Sequence, residues 1–401
     1  LAIDPKNFFF IGLGFTIVGT GFFTPNISSM VGQLYPDGEP RRDAGFSFFY
    51  MGVNLGALIG GYICIAVAEG SMWQSIVPEH LRWNVGFGFA AIVMIISLLT
   101  FTQTQKSLGP IGLSPLKEMM VSKRKQLEIV TYVGSLLVIP LLIVMVANTH
   151  YTDYFMICIG PASILYLLYE MKNFTLAENK KLFAALIFII FSIFFWAFFE
   201  QSGGSLSLFA VNNLNNTIGG VVLSPNGVNN SANSFFVIGF AALVGLVWLW
   251  LDKRKIEPNT VIKFGLAFLF LAGGFWVFYY TKFFADGFGR TSLGIFTFGW
   301  FVITLGELCL SPIGMSAMTK LSPSKTQAVI MGMWFLASAY GQYFAGILGA
   351  NIAEASEQSS NIEKLNVYAD GYLQLAIYAL IAGVVLIVLS PLVRKLMQEV
   401  K

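Results

Sequence analysis

Apolar runs of roughly twenty residues recur along almost the whole chain. That is the length a helix needs to cross the hydrocarbon core of a bilayer. Eleven such spans are expected, at roughly 7–34, 45–70, 84–104, 128–147, 152–172, 179–202, 231–253, 259–283, 291–320, 325–352 and 370–396. Turn-forming stretches such as PDGEP (36–40), SPNG (224–227) and LSPS (321–324) separate them. Only 11% of the 401 residues are charged, against about a quarter in a soluble domain. The pattern gives an all-α, multi-pass membrane protein.

Charge orients the spans. Nineteen of the 24 Lys and Arg residues fall in alternate loops, among them Arg41, Arg42, Lys123, Arg124, Lys125, Lys263, Lys320 and Arg394. The other loops hold only Lys6, Arg82, Lys282, Arg290 and Lys364. The positive-inside rule makes the basic side cytoplasmic, so Lys401 is expected inside. The net charge of +3 is small and gives no sign of a nucleic-acid partner. Cys64, Cys158 and Cys309 lie in apolar runs without metal spacing and read as packed thiols. His80 and His150 are loop residues without a metal partner. No cofactor and no metal are expected.

An internal repeat refines the architecture. GTGFFTPNISSMVGQLYP (19–36) aligns with GELCLSPIGMSAMTKLSP (306–323) at a constant offset of 287. Gly19, Pro25, Ser29, Leu34 and Pro36 meet Gly306, Pro312, Ser316, Leu321 and Pro323, and the register continues into the next span at Gly45/Gly332 and Phe48/Phe335. The second copy occupies the fourth and fifth spans of a six-span block. The first copy then also belongs to positions four and five, with 84–104 as the sixth. Three helices are expected before Leu1, and 128–147 with 152–172 form a two-helix insertion between halves. Parallel six-helix halves are the plan of the major facilitator superfamily, with the substrate site between them near the midplane. The expected division is a partial N-terminal bundle (1–107), a linker with the insertion (108–175) and a C-terminal six-helix bundle (176–401).

Two carboxylates stand out. Glu200 lies in FFWAFFEQSGGSLSLFA (194–210) and Glu307 in GELCLSPIG (306–314). They are the acids expected well inside spans, and no Lys or Arg is expected at comparable depth. A carboxylate there costs about 2.5–3.5 kcal/mol on insertion scales, so it faces a cavity or carries a proton. The plainer alternative is an acid near a membrane face that hydrogen-bonds another helix. Gln201 beside Glu200 offers an amide, and Gly203 and Gly204 allow the span to bend or another helix to approach. Pro25 and Pro312 each remove a helical hydrogen bond and are expected to kink their helices.

These segments carry a resemblance. GTGFFTPNISSMVGQLY followed by FFYMGVNLGALIGG, then FWAFFEQSGGSLSLFA, GELCLSPIG and MGMWFLASAYGQ, resemble the proton-dependent oligopeptide transporter family in order and over essentially the whole chain. The two-helix insertion is similar to that of its bacterial members. The resemblance implies a secondary active transporter and no enzyme. It would carry di- and tripeptides with protons across the bacterial inner membrane by alternating access, working as a monomer in the lipid bilayer.

It also implies roles. Glu200 and Glu307 would couple protons and contact substrate. Asn54 would bond the peptide backbone, helix–helix bonding being its rival reading. Asn233 matches a pocket amide, with a helix cap as the alternative. Trp334, with Ser338 one turn on, would wall or gate the pocket, against simple packing. Trp196 and Tyr50, each one turn before a marked residue, complete the set. Pro25, Gly203, Gly204 and Pro312 would serve bending and gating.

Two departures from the family pattern stand out. Thr24 occupies a position where the family usually has Lys, which puts its standard coupling in doubt. The family's E-x-x-E-R motif belongs on a helix before Leu1, so the chain reads as a fragment of a longer protein, a truncated product being the alternative. The rival functions are a proton-linked carrier of another small solute and a non-transporting membrane subunit.

Overall fold

The computed structural model describes residues 8–36, 39, 41–68, 73, 75–114, 116, 119–218, 221–222, 225–354 and 360–398. Among these residues nine segments are long and apolar enough to cross a membrane. Two further helices lie at the other two expected spans. In chain order the helices are α1 (Phe9–Gln33), α2 (Arg41–Ala68), α3 (Arg82–Thr104), α4 (Val121–Ala147), α5 (Thr149–Glu170), α6 (Leu176–Phe199), α7 (Ser205–Asn213), α8 (Pro225–Lys253), α9 (Thr260–Tyr280), α10 (Leu293–Leu321), α11 (Gln327–Glu354) and α12 (Asn361–Met397).

Local chemistry sets several helix starts. Thr175 and Glu178 form a reciprocal capping box at α6, as Ser360 and Glu363 do at α12. Asn259 caps α9 and Ser292 caps α10. Pro225 opens α8 at the position where its missing N–H costs nothing. Asn233 therefore lies two turns inside α8, and the cap reading does not hold. Pro25 and Pro312 both sit within continuous helices.

Contacts group the chain into two units. One holds residues 1–34 and 56–172; the other holds 35–55 and 173–401. In the first, α1 packs on α4 and α4 on α5. Gly14 makes the first contact possible: a Cβ there would lie 2.9 Å from the Ile139 side chain.

In the second unit, α9 packs against α10 and α12, and α6 against α11 and α12. Its core is aromatic. Phe188 meets Phe264 at 4.6 Å between ring centroids, and Phe195 meets Phe268 edge-on at 5.6 Å. The first half of α2 belongs to this unit, a grouping the sequence does not announce.

The span expected at 179–202 ends in a break, and a short helix continues beyond it. α6 ends at Phe199, a 3-10 turn covers Glu200–Gly203, and α7 resumes at Ser205. Gly204 sits at the break where α11 passes closest. A Cβ on it would lie 3.5 Å from the Gly349 Cα, whereas one on Gly203 would meet nothing within 4 Å among the described residues.

Candidate functional site

α10 is buried over most of its length, and Glu307 on it is only 2% exposed. Helices brought together by apolar packing supply its partners. The Tyr50 hydroxyl, from the first half of α2, donates to Glu307 Oε1. Asn233 Nδ2, from α8, donates to Glu307 Oε2 at 2.5 Å and to Thr304 Oγ1 at 3.2 Å. Both carboxylate oxygens thus accept from neutral donors. Among the described residues Glu307 makes no ion pair.

Asn54 lies one turn from Tyr50. It donates to the Tyr50 carbonyl at 3.1 Å, and its Oδ1 accepts from Ser234 at 3.5 Å. Both readings of Asn54, pocket amide and helix–helix bond, have a geometric basis here.

These groups open onto a cavity of about 250 Å3 within the second unit. Tyr50, Asn54, Trp196, Glu200, Asn233 and Glu307 all line it. Six of the eight expected substrate-contacting residues are therefore together. Glu200 closes α6, and Gln342 of α11 donates to its Oε1 at 3.4 Å.

Trp334 and Ser338 do not line this cavity. The Trp334 ring is buried, packed edge-on against Phe264 at 6.0 Å and pressed onto Gly314. Packing within the bundle, the plainer reading, accounts for its position. Gln201 also turns away from Glu200. It is fully buried, donates to the Ala197 and Ala345 carbonyls at 3.4 and 3.3 Å, and accepts from Ser205 at 2.8 Å. Its work is to join the broken span to α11. Thr24, half-buried in α1, gives its carbonyl to Ser28 at 2.9 Å.

Sequence reasoning missed several residues. Phe199, Ser202, Asn229, Asn230 and Trp300 also line the cavity. Their spacing held a signal: Trp300, Thr304 and Glu307 share one face of α10, and Asn229 and Asn233 one face of α8. A buried charge cluster was missed as well. Asp43 accepts from Lys263 at 3.0 Å, Lys320 at 2.6 Å and Ser316 at 2.5 Å, while Glu257 takes a second bond from Lys263 at 2.6 Å. Lys263, 2% exposed near the start of α9, is a buried base, paired with Asp43 and Glu257 and not with Glu200 or Glu307. Among the described residues no three of His, Cys, Asp and Glu cluster as metal ligands do.

Comparison with known proteins decides the lineage. The family model described as the POT family matches residues 4–367. The chain belongs to the POT family. The peptide transporter YePEPT of Yersinia enterocolitica is 31% identical, with 98% of this chain and 76% of the relative aligned. The di-/tripeptide transporter of Lactococcus lactis is 28% identical over 98% of this chain and 77% of its own length. Among solved structures, a mutant of the peptide transporter POT in complex with alafosfalin superposes with a TM-score of 0.66 at 30% identity, covering 95% of this chain and 73% of that one. A bacterial homologue of the human drug peptide transporters PepT1 and PepT2, at 24% identity and covering 98% of this chain and 80% of that one, shares the fold with a TM-score of 0.69.

This POT-family chain is thus a multi-pass, all-helical membrane protein of the major facilitator fold. It is a transporter-family protein, not an enzyme.

Proposed function

We propose that the protein carries di- and tripeptides together with protons across the bacterial inner membrane by alternating access. The observation that carries this reading is the Glu307 constellation: a buried carboxylate held by Tyr50 and Asn233 at the wall of a cavity that also holds Glu200, Asn54 and Trp196. Amides and a carboxylate suit the donors, acceptors and terminal amine of a short peptide. A buried acid bonded only by neutral groups can exchange a proton without first breaking an ion pair. The names of the relatives support a peptide as the passenger.

In this reading Glu200 and Glu307 move the proton, and Tyr50, Asn54, Trp196 and Asn233 contact the substrate. Pro25, Gly203, Gly204 and Pro312 serve bending, and Trp334 packs beside Pro312 against Gly314. The division into 1–107, 108–175 and 176–401, the cytoplasmic C-terminus and function as a monomer belong to the same proposal.

The test is uptake of a labelled dipeptide into proteoliposomes holding the purified protein. An imposed pH gradient should drive accumulation, and a protonophore should abolish it. Gradient-driven uptake of another solute, uncompeted by peptides, would move the protein to the class of other proton-linked carriers.

A further inference from the structure

Glu200 and Glu307 line one cavity but are held by different helices. Glu307 is bonded from α2 and α8, by Tyr50 and Asn233. Glu200 accepts from Gln342 of α11 at 3.4 Å, and among the described residues each is the other's one hydrogen-bonded side-chain partner.

Packing fixes where Gln342 stands. Gly341, Ala345 and Gly349 recur every four residues along α11 and are buried, so they form one face of small residues. That face lies against the broken span. A Cβ on Gly341 would come within 2.2 Å of the Trp196 Cβ and 3.0 Å of its Cα. Gln201 Nε2 donates to the Ala345 carbonyl at 3.3 Å, and a Cβ on Gly349 would lie 3.4 Å from the Gly204 Cα. Gln342 follows Gly341 directly, at the edge of this face, and Glu200 stands one turn beyond Trp196. Close backbone contact thus sets the amide beside the carboxyl.

The chemistry of the pair suits a group that changes charge. An amide both donates and accepts. Its NH2 bonds the carboxylate, as here, and its carbonyl oxygen can accept from the carboxylic acid once the amide turns over. Neither state leaves Glu200 without a partner, and the amide itself gains and loses no proton. A Lys or Arg in its place would hold the carboxylate charged. The other titratable groups lining the cavity are Glu307 and Tyr50, which are bonded to each other, and among the described residues no cation lines it.

We propose that Gln342 is the positioning residue for the Glu200 carboxyl, holding it at the cavity wall both with and without its proton. This rests on Glu200 as the proton carrier. It ties the proton site to α11, whereas Glu307 is tied to α2 and α8.

Labelled-dipeptide flux in proteoliposomes tests the pair, with accumulation under an imposed pH gradient and exchange between equal pools measured on each preparation. Gln342→Met keeps the length of the side chain and removes its donor and acceptor. Accumulation should fall about fivefold, the equivalent of one neutral hydrogen bond, while exchange stays near that of the unmodified protein. A merely structural residue would lower both alike, so an equal fall in both, or no fall, overturns the positioning role. A second variant exchanges the two side chains. Glu200→Gln alone should not accumulate. Glu200→Gln combined with Gln342→Glu returns a carboxyl to the same place from α11 and should recover gradient-driven accumulation. No recovery overturns the positioning role, also where Gln342→Met fails to reach the membrane. Full accumulation by Glu200→Gln alone has a different meaning: it removes Glu200 as the proton carrier, and the role of Gln342 with it.

Discussion

Lys263 Nζ lies 3.0 Å from Asp43 Oδ2, joining the start of α9 to the start of α2 across 220 residues of sequence. Both side chains are buried, and Lys263 also stands 4.9 Å over the Trp248 ring. Lys320 and Glu257 complete a set of two cations and two carboxylates. Removing one partner of a buried pair costs about 3–5 kcal/mol, because the other charge is left without compensation. Lys263→Met should lie at the lower end, since Lys320 and Ser316 still hold Asp43. The check is the unfolding midpoint of the purified protein in detergent. It should fall in Lys263→Met and in Asp43→Asn, with the double variant losing less than the sum of the two. Strict additivity would mean that the two residues do not act on each other.

The packing of Trp334 gives a second expectation. A Cβ at Gly314 would lie 2.1 Å from the Trp334 ring, so Gly314→Ala must displace that ring or spread α10 from α11. Overpacking of this kind costs about 1–3 kcal/mol. A Cβ at Gly332 would meet nothing within 4 Å among the described residues. Thermal unfolding should show Gly314→Ala destabilised and Gly332→Ala close to the unmodified protein. Equal midpoints would remove the packing role assigned to Trp334.

The helices were legible because bilayer thickness imposes a length that hydropathy records. The pairing of polar groups was legible only in part, since it depends on how each helix is rotated about its axis. Asn233 and Glu307 were identified separately, but nothing in the sequence says that one donates to the other. Lys263 was counted among loop cations because a base at a span's end usually faces water. Only Asp43, far away in sequence, shows that it is buried. The start of α8 was placed six residues late because SPNG reads as a loop, although Pro225 is a good first helical residue. Trp334 was assigned by resemblance, and the resemblance could not show its ring lying against Gly314.

The break between α6 and α7 separates two glycines that the sequence treats alike. A Cβ on Gly204 would sit 3.5 Å from Gly349 and 3.7 Å from Gln201 Oε1, which is ordinary contact. Gly204→Ala should therefore keep most transport. The extra methyls of Gly204→Val reach into α11 and should reduce uptake at least tenfold at equal protein in the membrane, about 1.4 kcal/mol or more. Gly203→Val, with open space around it, should do much less. Rate measurements on proteoliposomes compare the three. Equal loss from Val at both positions would point to backbone freedom, not close approach, as the requirement.

The two acids should separate in their response to loss of charge. Among the described residues Glu200 has one long hydrogen bond, from Gln342 at 3.4 Å, and it lies half-buried at a helix break. Glu307 is buried in mid-helix and holds Tyr50 and Asn233 in place. Glu200→Gln keeps size and hydrogen bonding but fixes the group as neutral. It should abolish accumulation driven by a pH gradient while leaving exchange between two equal peptide pools, because exchange needs no net proton movement. Glu307→Gln replaces a carboxylate oxygen by an NH2 that must face either the Tyr50 hydroxyl or the Asn233 amide. The Tyr50 hydroxyl can turn to accept, but the Asn233 NH2 cannot, so one orientation loses a bond outright. The other orientation, oxygen to Asn233 and NH2 to a reversed Tyr50 hydroxyl, keeps both contacts but without the charge that strengthens them. Exchange should therefore fall along with accumulation, about tenfold for hydrogen bonds that lose their charged acceptor. Labelled-dipeptide flux measured with and without an imposed gradient reads both quantities in one preparation. Full gradient-driven accumulation by Glu200→Gln would remove Glu200 as the proton carrier and leave Glu307 to account for coupling alone.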